Sequence, residues 1–151
     1  MAIDTMGWRA QPVWALAPTD VAFCDANVVA RVYSANQRGD VADAWRVAFE
    51  SVPSSRRVVD EVVLWELGRY FRGSDWEEWR HRHLQRRSLE AQVVRPFVRL
   101  FDRVHRPTQA LGGPADGMIA AHCLVQRRWV LMTENVRDFE MVPDLRLFVP
   151  P

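Results

Sequence analysis

Val21-Ala-Phe-Cys-Asp-Ala-Asn-Val-Val29 sets an unbroken apolar run against a carboxylate, and the reading of that junction decides the fold. A run of four apolar residues reads as a short strand buried on both faces, as strands of parallel sheets are. Val28, Val29, Val32 and Tyr33 then recur at helical spacing, and Gly39 ends the helix. Strand followed directly by helix is the order of an α/β unit. Asp25 falls at the carboxyl end of the strand, the edge at which such sheets bind ligands.

The same alternation continues outward. Asp40 is placed to cap a helix running to about Glu50, with Val41, Ala44, Trp45, Val47 and Ala48 on its apolar face. Pro53-Ser-Ser55 breaks the chain before a short strand, Arg57-Val-Val59, and Asp60 caps a helix from Glu61 to about Phe71. Ser74-Asp-Trp-Glu77 has the form of a capping box and predicts a helix from 75 to about 89. Further helices are expected from about Pro96 to His105 and, after the turn Gly112-Gly-Pro114, from Ala115 to Gln126. Trp129–Met132 and Leu145–Val149 read as the last two strands, separated by a polar loop. Strands joined by helical crossovers predict an α/β domain, a central, mainly parallel sheet of four or five strands between helical layers. Residues 1–20, with Pro12 and Pro18 and no clear period, read as an irregular leader to a domain spanning 21–151.

Composition narrows the function classes. A chain of 151 residues fits one domain, and 48% hydrophobic with 26% charged residues is ordinary for a folded protein. No apolar run approaches the roughly 20 residues of a membrane span, and the start has no secretory pattern, so a cytoplasmic protein is expected. Cys24 and Cys123 lack metal-type spacing and read as buried thiols. All twenty basic residues are Arg, so every cationic side chain is a planar fork suited to phosphate or carboxylate. The net charge of +1 exerts no global pull on nucleic acid.

Four acids interrupt apolar segments: Asp25, Glu66 in Val62-Val-Leu-Trp-Glu-Leu67, Asp116 before Gly-Met-Ile-Ala-Ala121, and Asp138 in Thr133-Glu-Asn-Val-Arg-Asp-Phe139. An unpaired buried carboxylate is costly, and a cluster of them at strand ends calls for a neutralising cation. A hard divalent ion such as Mg²⁺ fits oxygen ligands best.

In their order, Asp25-Ala-Asn27, Leu64-Trp-Glu-Leu-Gly68, Ala115-Asp-Gly-Met-Ile-Ala-Ala121 and Thr133-Glu-Asn-Val-Arg-Asp-Phe-Glu140 resemble the PIN domain family. The resemblance is nearest to the VapC-type toxins of VapBC toxin–antitoxin pairs and covers roughly residues 20 to 150. It implies a PIN-like α/β/α sandwich and an endoribonuclease using Mg²⁺ or Mn²⁺. Asp25, Glu66 and Asp116 match the family's three core acids. The fourth falls among Glu134, Asn135 and Asp138, with Asp138 assigned here, while Asn27, Thr133 and Asn135 would orient water or ligands. The resemblance further implies an RNA substrate, a VapB-type antitoxin and a homodimer. A housekeeping nuclease of RNA processing, or a non-catalytic binding module, would share the fold.

Each of these residues also has an ordinary structural role open to it. Asp25 can cap a helix, Glu66 can pair with Arg69, Asp116 suits a first helical turn, Asp138 a turn and Thr133 a cap. His81, His83, His105 and His122 belong to no motif and read as surface or helix-face residues. Arg69–Arg106 holds ten Arg against five acids, interleaved with Trp76, Trp79, Phe97 and Phe101. Such a stretch can track an RNA backbone and stack bases, or it can be a helix whose aromatics are core and whose Arg side chains are solvated.

Overall fold

The computed structural model describes residues 7–104 and 114–151. The order of elements is Gln11–Val13 (β1), Val21–Cys24 (β2), Ala26–Arg38 (α1), Ala44–Glu50 (α2), Arg57–Val59 (β3), Glu61–Leu67 (α3) and Ser74–His83 (α4). Gln85–Arg86 (β4), Val94–Val104 (α5), Pro114–Val125 (α6), Trp129–Met132 (β5), Val136–Phe139 (α7) and Arg146–Phe148 (β6) follow. Six strands form one sheet in the order β1-β6-β5-β2-β3-β4. Every pairing is parallel, and helices flank the sheet.

The sheet is therefore wider than the four or five strands expected. Both additional strands are at its borders and are too short to show a period. β4 is two residues, Gln85 and Arg86, and replaces the end of the helix predicted from 75 to about 89. β1 lies in the stretch read as an irregular leader and is recruited by β6, with Gln11 opposite Arg146 and Val13 opposite Phe148. Gln11 donates its N–H to the Leu145 carbonyl, and Val13 accepts from the Val149 N–H. The alternation of strand backbone thus turns Pro12 outward, to the border where its missing N–H breaks no ladder bond.

Local chemistry explains the element limits. Asp25 accepts from the Ala26 N–H at the start of α1, and Gly39 closes the helix in the left-handed conformation at φ 69°. α2 begins at Ala44 because Asp43, rather than Asp40, accepts from the Trp45 and Arg46 N–H groups. Asp60 caps α3 through the Val63 N–H, as expected, but the helix ends at Leu67. The Ser74 capping box does not form; Gly73 precedes α4 and makes no side-chain cap. The turn at 112–114 and the end of the predicted helix at His105 fall outside the described residues, apart from Pro114. No helix among the described residues is long and apolar enough to cross a membrane.

Phe23 and Leu131 on the central strands, Leu147 on β6, Val28 and Val29 on α1 and Ile119 on α6 are fully buried in one core. Phe139, also fully buried, anchors α7 to that core. Phe139→Ala is expected to lower stability by about 3–5 kcal/mol, read as a reduced urea midpoint with an unchanged slope. Trp76 and Trp79 are buried and join Tyr33, Phe49 and Phe71 in a group of aromatic rings. Arg80 and Arg82 pair along the surface of α4 with Glu77 and Glu78. For these residues the core-and-solvated-face account holds.

Candidate metal centre

β2 and β5 are adjacent at the point where the chain reverses its direction of travel across the sheet, with β3 on one side and β6 on the other. Crevices of open α/β sheets lie at such reversals. Cys24 is in register with Met132, so the residues that follow, Asp25 and Thr133, emerge side by side. Thr133 donates its hydroxyl to Asp25 Oδ2 at 2.7 Å, and the Asp25 N–H donates to the Met132 carbonyl at 2.9 Å. Both residues are buried.

Asn27, on the first turn of α1, braces this pair. Its Nδ2 lies 3.4 Å from both Asp25 Oδ2 and Thr133 Oγ1, and its Oδ1 accepts from the Glu134 N–H at 3.0 Å. The Asn135 N–H donates to Thr133 Oγ1 at 3.1 Å. One amide side chain therefore holds the loop after β5 against the start of α1. Asn27→Ala is expected to loosen the loop after β5 from α1, read as faster amide exchange at Glu134 and Asn135.

The acids reveal one another through their electrostatics. Burial pushes the Asp25 carboxyl up to about 6, against the hydrogen bonds from Thr133 and Ala26, and the carboxylates of Glu66 and Asp60 push in the same direction. Burial also raises Glu66, and the Asp116 carboxylate raises it further, opposed by Arg69. Arg69 does not pair off Glu66 on the surface; its guanidinium lies 5.6 Å and 5.9 Å from the Trp65 and Tyr70 ring centroids. Burial is the main cause at both carboxyls, with Glu66 adding to Asp25 and Asp116 adding to Glu66 by like-charge repulsion.

Asp138 is placed differently. It lies on α7 and lines an open cavity of about 630 Å³ with Trp8, Asn135, Arg137 and Glu140. Glu134, another candidate for the fourth acid, faces Arg31 at 3.6 Å. Among the described residues no group of three or more His, Cys, Asp or Glu side chains is arranged to hold a metal ion. The donor chemistry still fits a hard divalent ion. Mg²⁺ characteristically takes one or two carboxylates and keeps several waters. Asp25 supplies a carboxylate with no ion-paired Arg among the described residues, and Glu66 and Asp116 are the acids next in the chain of repulsion.

The histidines divide between surface and helix face, as expected. His81 is exposed beside Glu77, and His83 is half-buried between Arg57 and Trp79, whereas His105 lies outside the described residues. His122 is on the buried face of α6, with Nδ1 2.9 Å from Asp60 Oδ2. Nothing local announces this pair, because its members are 62 residues apart in sequence.

A parallel α/β sheet with a buried carboxylate at the reversal point, Asp25, has the architecture of a ligand-binding crevice domain. The chain matches the PIN domain family over residues 22–144 and belongs to it. No curated protein sequence matches it. Among solved structures it is similar in fold to DNA-bound VapBC from Salmonella typhimurium, with TM-score 0.63 and 23% identity over 85% of this chain and 97% of that one. VapBC2 from Rickettsia felis, bound to a DNA fragment from its promoter, gives TM-score 0.62 and 18% identity over 84% and 96%. FitAcB from Neisseria gonorrhoeae gives TM-score 0.57 and 18% identity over 86% and 98%. β1 and β6 lie outside the residues matched to the family.

Proposed function

We propose that this PIN domain is an endoribonuclease dependent on Mg²⁺ or Mn²⁺ and the VapC-type toxin of a two-component toxin–antitoxin module. The observation that carries the reading is Asp25, buried at the reversal point of the sheet with no Arg paired to it among the described residues, its carboxyl raised chiefly by that burial. A fold does not keep a carboxylate in that state for stability, so the cost points to a cation that relieves it. When bound, a divalent ion supplies activation of water and neutralisation of the phosphodiester.

The residues assigned to hold it are Asp25, Glu66 and Asp116, with Asp138 as the fourth acid. Thr133 and Asn27 fix the Asp25 carboxylate by donating to Oδ2 and leave Oδ1 on the Ala26 N–H. Asn135 ties the following loop to Thr133. Hydrolysis at such a site leaves a 5′-phosphate and a 3′-hydroxyl without a covalent intermediate.

A VapB-type antitoxin is the proposed partner, supported by the VapBC complexes among the structural neighbours. A homodimer is proposed as well; the apolar groove of Val62, Trp65, Ala115 and Met118 between α3 and α6 offers a second copy a seat. A cytoplasmic site of action follows from an RNA substrate. The test is Mn²⁺-dependent cleavage of RNA by the isolated chain, together with anomalous scattering from Mn²⁺-soaked crystals. Cleavage with an ion at Asp25 supports the reading; cleavage that persists in chelator, or an ion elsewhere only, refutes it.

A further inference from the structure

Two helices carry Glu66 and Asp116, and one buried polar bond joins them. Asp60 is fully buried at the N-terminus of α3, and His122 is 1% exposed in the second half of α6. Asp60 Oδ1 accepts from the Val63 N–H at 3.1 Å, while Oδ2 lies 2.9 Å from His122 Nδ1. A carboxylate only accepts, so Nδ1 carries the proton and donates. The imidazole is wedged between Phe23 on β2 and Trp129 on β5, with ring centroids at 5.7 Å and 4.9 Å. Neither partner can swing aside without leaving a buried group unsatisfied.

Glu66 is six residues after Asp60, and Asp116 is six residues before His122. Each acid thus sits about 9 Å along its own helix from the shared bond. Sliding or rotating one helix against the other changes the separation of the two carboxylates and strains that bond. A hydrophobic contact in its place would permit small shifts, since apolar packing is not directional.

We infer that the Asp60–His122 pair is a positioning device that fixes α3 against α6, and with them the spacing of Glu66 and Asp116 for a divalent ion. Neither residue is among the acids assigned to the ion, although the Asp60 carboxylate also acts on Asp25 through space. The inference rests on the metal-site reading above and adds to it two residues outside the acid set. It also accounts for a carboxylate and an imidazole buried together against the Phe23 and Trp129 rings.

The test compares wild type with Asp60→Ser/His122→Phe and with His122→Asn. The double variant keeps a cap on α3 and an aromatic ring against Phe23 and Trp129, and removes both ends of the bond, so no buried charge is orphaned. His122→Asn keeps a donor near the Nδ1 position and loses the ring. Mn²⁺ affinity is read by calorimetry, and amide exchange along the first turns of α6 is read in metal-free protein.

The double variant is expected to bind Mn²⁺ about tenfold more weakly, the low end of effects from lost ligand support, and to exchange α6 amides faster. His122→Asn is expected to melt lower yet bind within about threefold of wild type, a separation of stability from affinity that simple core packing does not produce. Wild-type exchange in the double variant overturns the inference whatever its affinity, because loss of the Asp60 charge weakens Mn²⁺ binding near Asp25 by itself; equal weakening in His122→Asn overturns it too. Should the double variant not fold, Asp60→Ser alone severs the bond with the cap intact and is judged by the same readings. If wild type itself takes up no Mn²⁺, the metal-site reading fails, and α6 exchange still decides whether the pair positions the helices.

Discussion

Asp25→Asn is expected to lower Mn²⁺-dependent RNA cleavage by about a thousandfold or more, about 4 kcal/mol of lost transition-state stabilisation. The substitution conserves shape: the single Oδ1 still accepts from the Ala26 N–H, and the new Nδ2 donates to a Thr133 hydroxyl that turns to accept. What disappears is the negative charge at the centre of the crevice, and with it the electrostatic reason for a doubly charged ion to stay. Asp116→Asn, which removes another of the carboxylates assigned to the ion, is expected to fall in the same range. Single-turnover cleavage of a labelled RNA checks both, with circular dichroism to show that the fold persists. Undiminished cleavage in both variants would defeat the assignment.

The second large effect concerns stability and pH in chelator. Asp25 holds its proton up to about 6 in the folded protein, against a reference value of 3.8. Between those values the folded state binds more protons than the unfolded state, so stability falls as pH rises. At about 1.4 kcal/mol per pKa unit the loss amounts to about 3 kcal/mol once pH exceeds about 6. Glu66, also raised, adds in the same direction.

His83, whose pKa is lowered, acts oppositely near its own titration, and the lowered Asp20, Asp43 and Glu61 act oppositely at more acid pH. Comparison with Asp25→Asn removes these contributions, because they are common to both proteins. Urea midpoints from pH 4.5 to 7.5 are expected to show wild type losing ground steadily to Asp25→Asn. Saturating Mn²⁺ should then restore wild type alone, by mass action on the folded state. Parallel pH curves for the two proteins would show that Asp25 carries no such burden.

The parts of this architecture legible in the sequence are those with dense local signals. β2, β3, β5 and β6 are apolar runs bounded by acids, turns or Pro, and the carboxyl-end position of Asp25 and Thr133 follows from the strand limits alone. β1 and β4 are not legible, because Gln-Pro-Val and Gln-Arg lie in no apolar run and their strand character comes from the neighbour they join. The choice of Asp43 over Asp40 as the cap of α2 likewise depends on where the chain turns, which propensity does not encode. The mutual effect of Glu66 on Asp25 and of Asp116 on Glu66 becomes visible only when α3, α6 and β2 are brought together. The burial of His122 is of the same kind, since its partner lies on another helix.

The borders of the sheet bear on how this chain behaves at high concentration. A parallel sheet forms late, from segments distant in sequence, and an open rim of amides and carbonyls invites a stray extended segment to dock. Here one rim is capped by Pro12, which withholds a donor from the outside, and the other is only the Gln85–Arg86 dipeptide, ending in a guanidinium paired with Glu61. Neither rim can register a long foreign strand, so fibril-type growth from the native state is blocked at both sides. Pro12→Val would reopen one of them and should show as thioflavin-positive material on prolonged incubation.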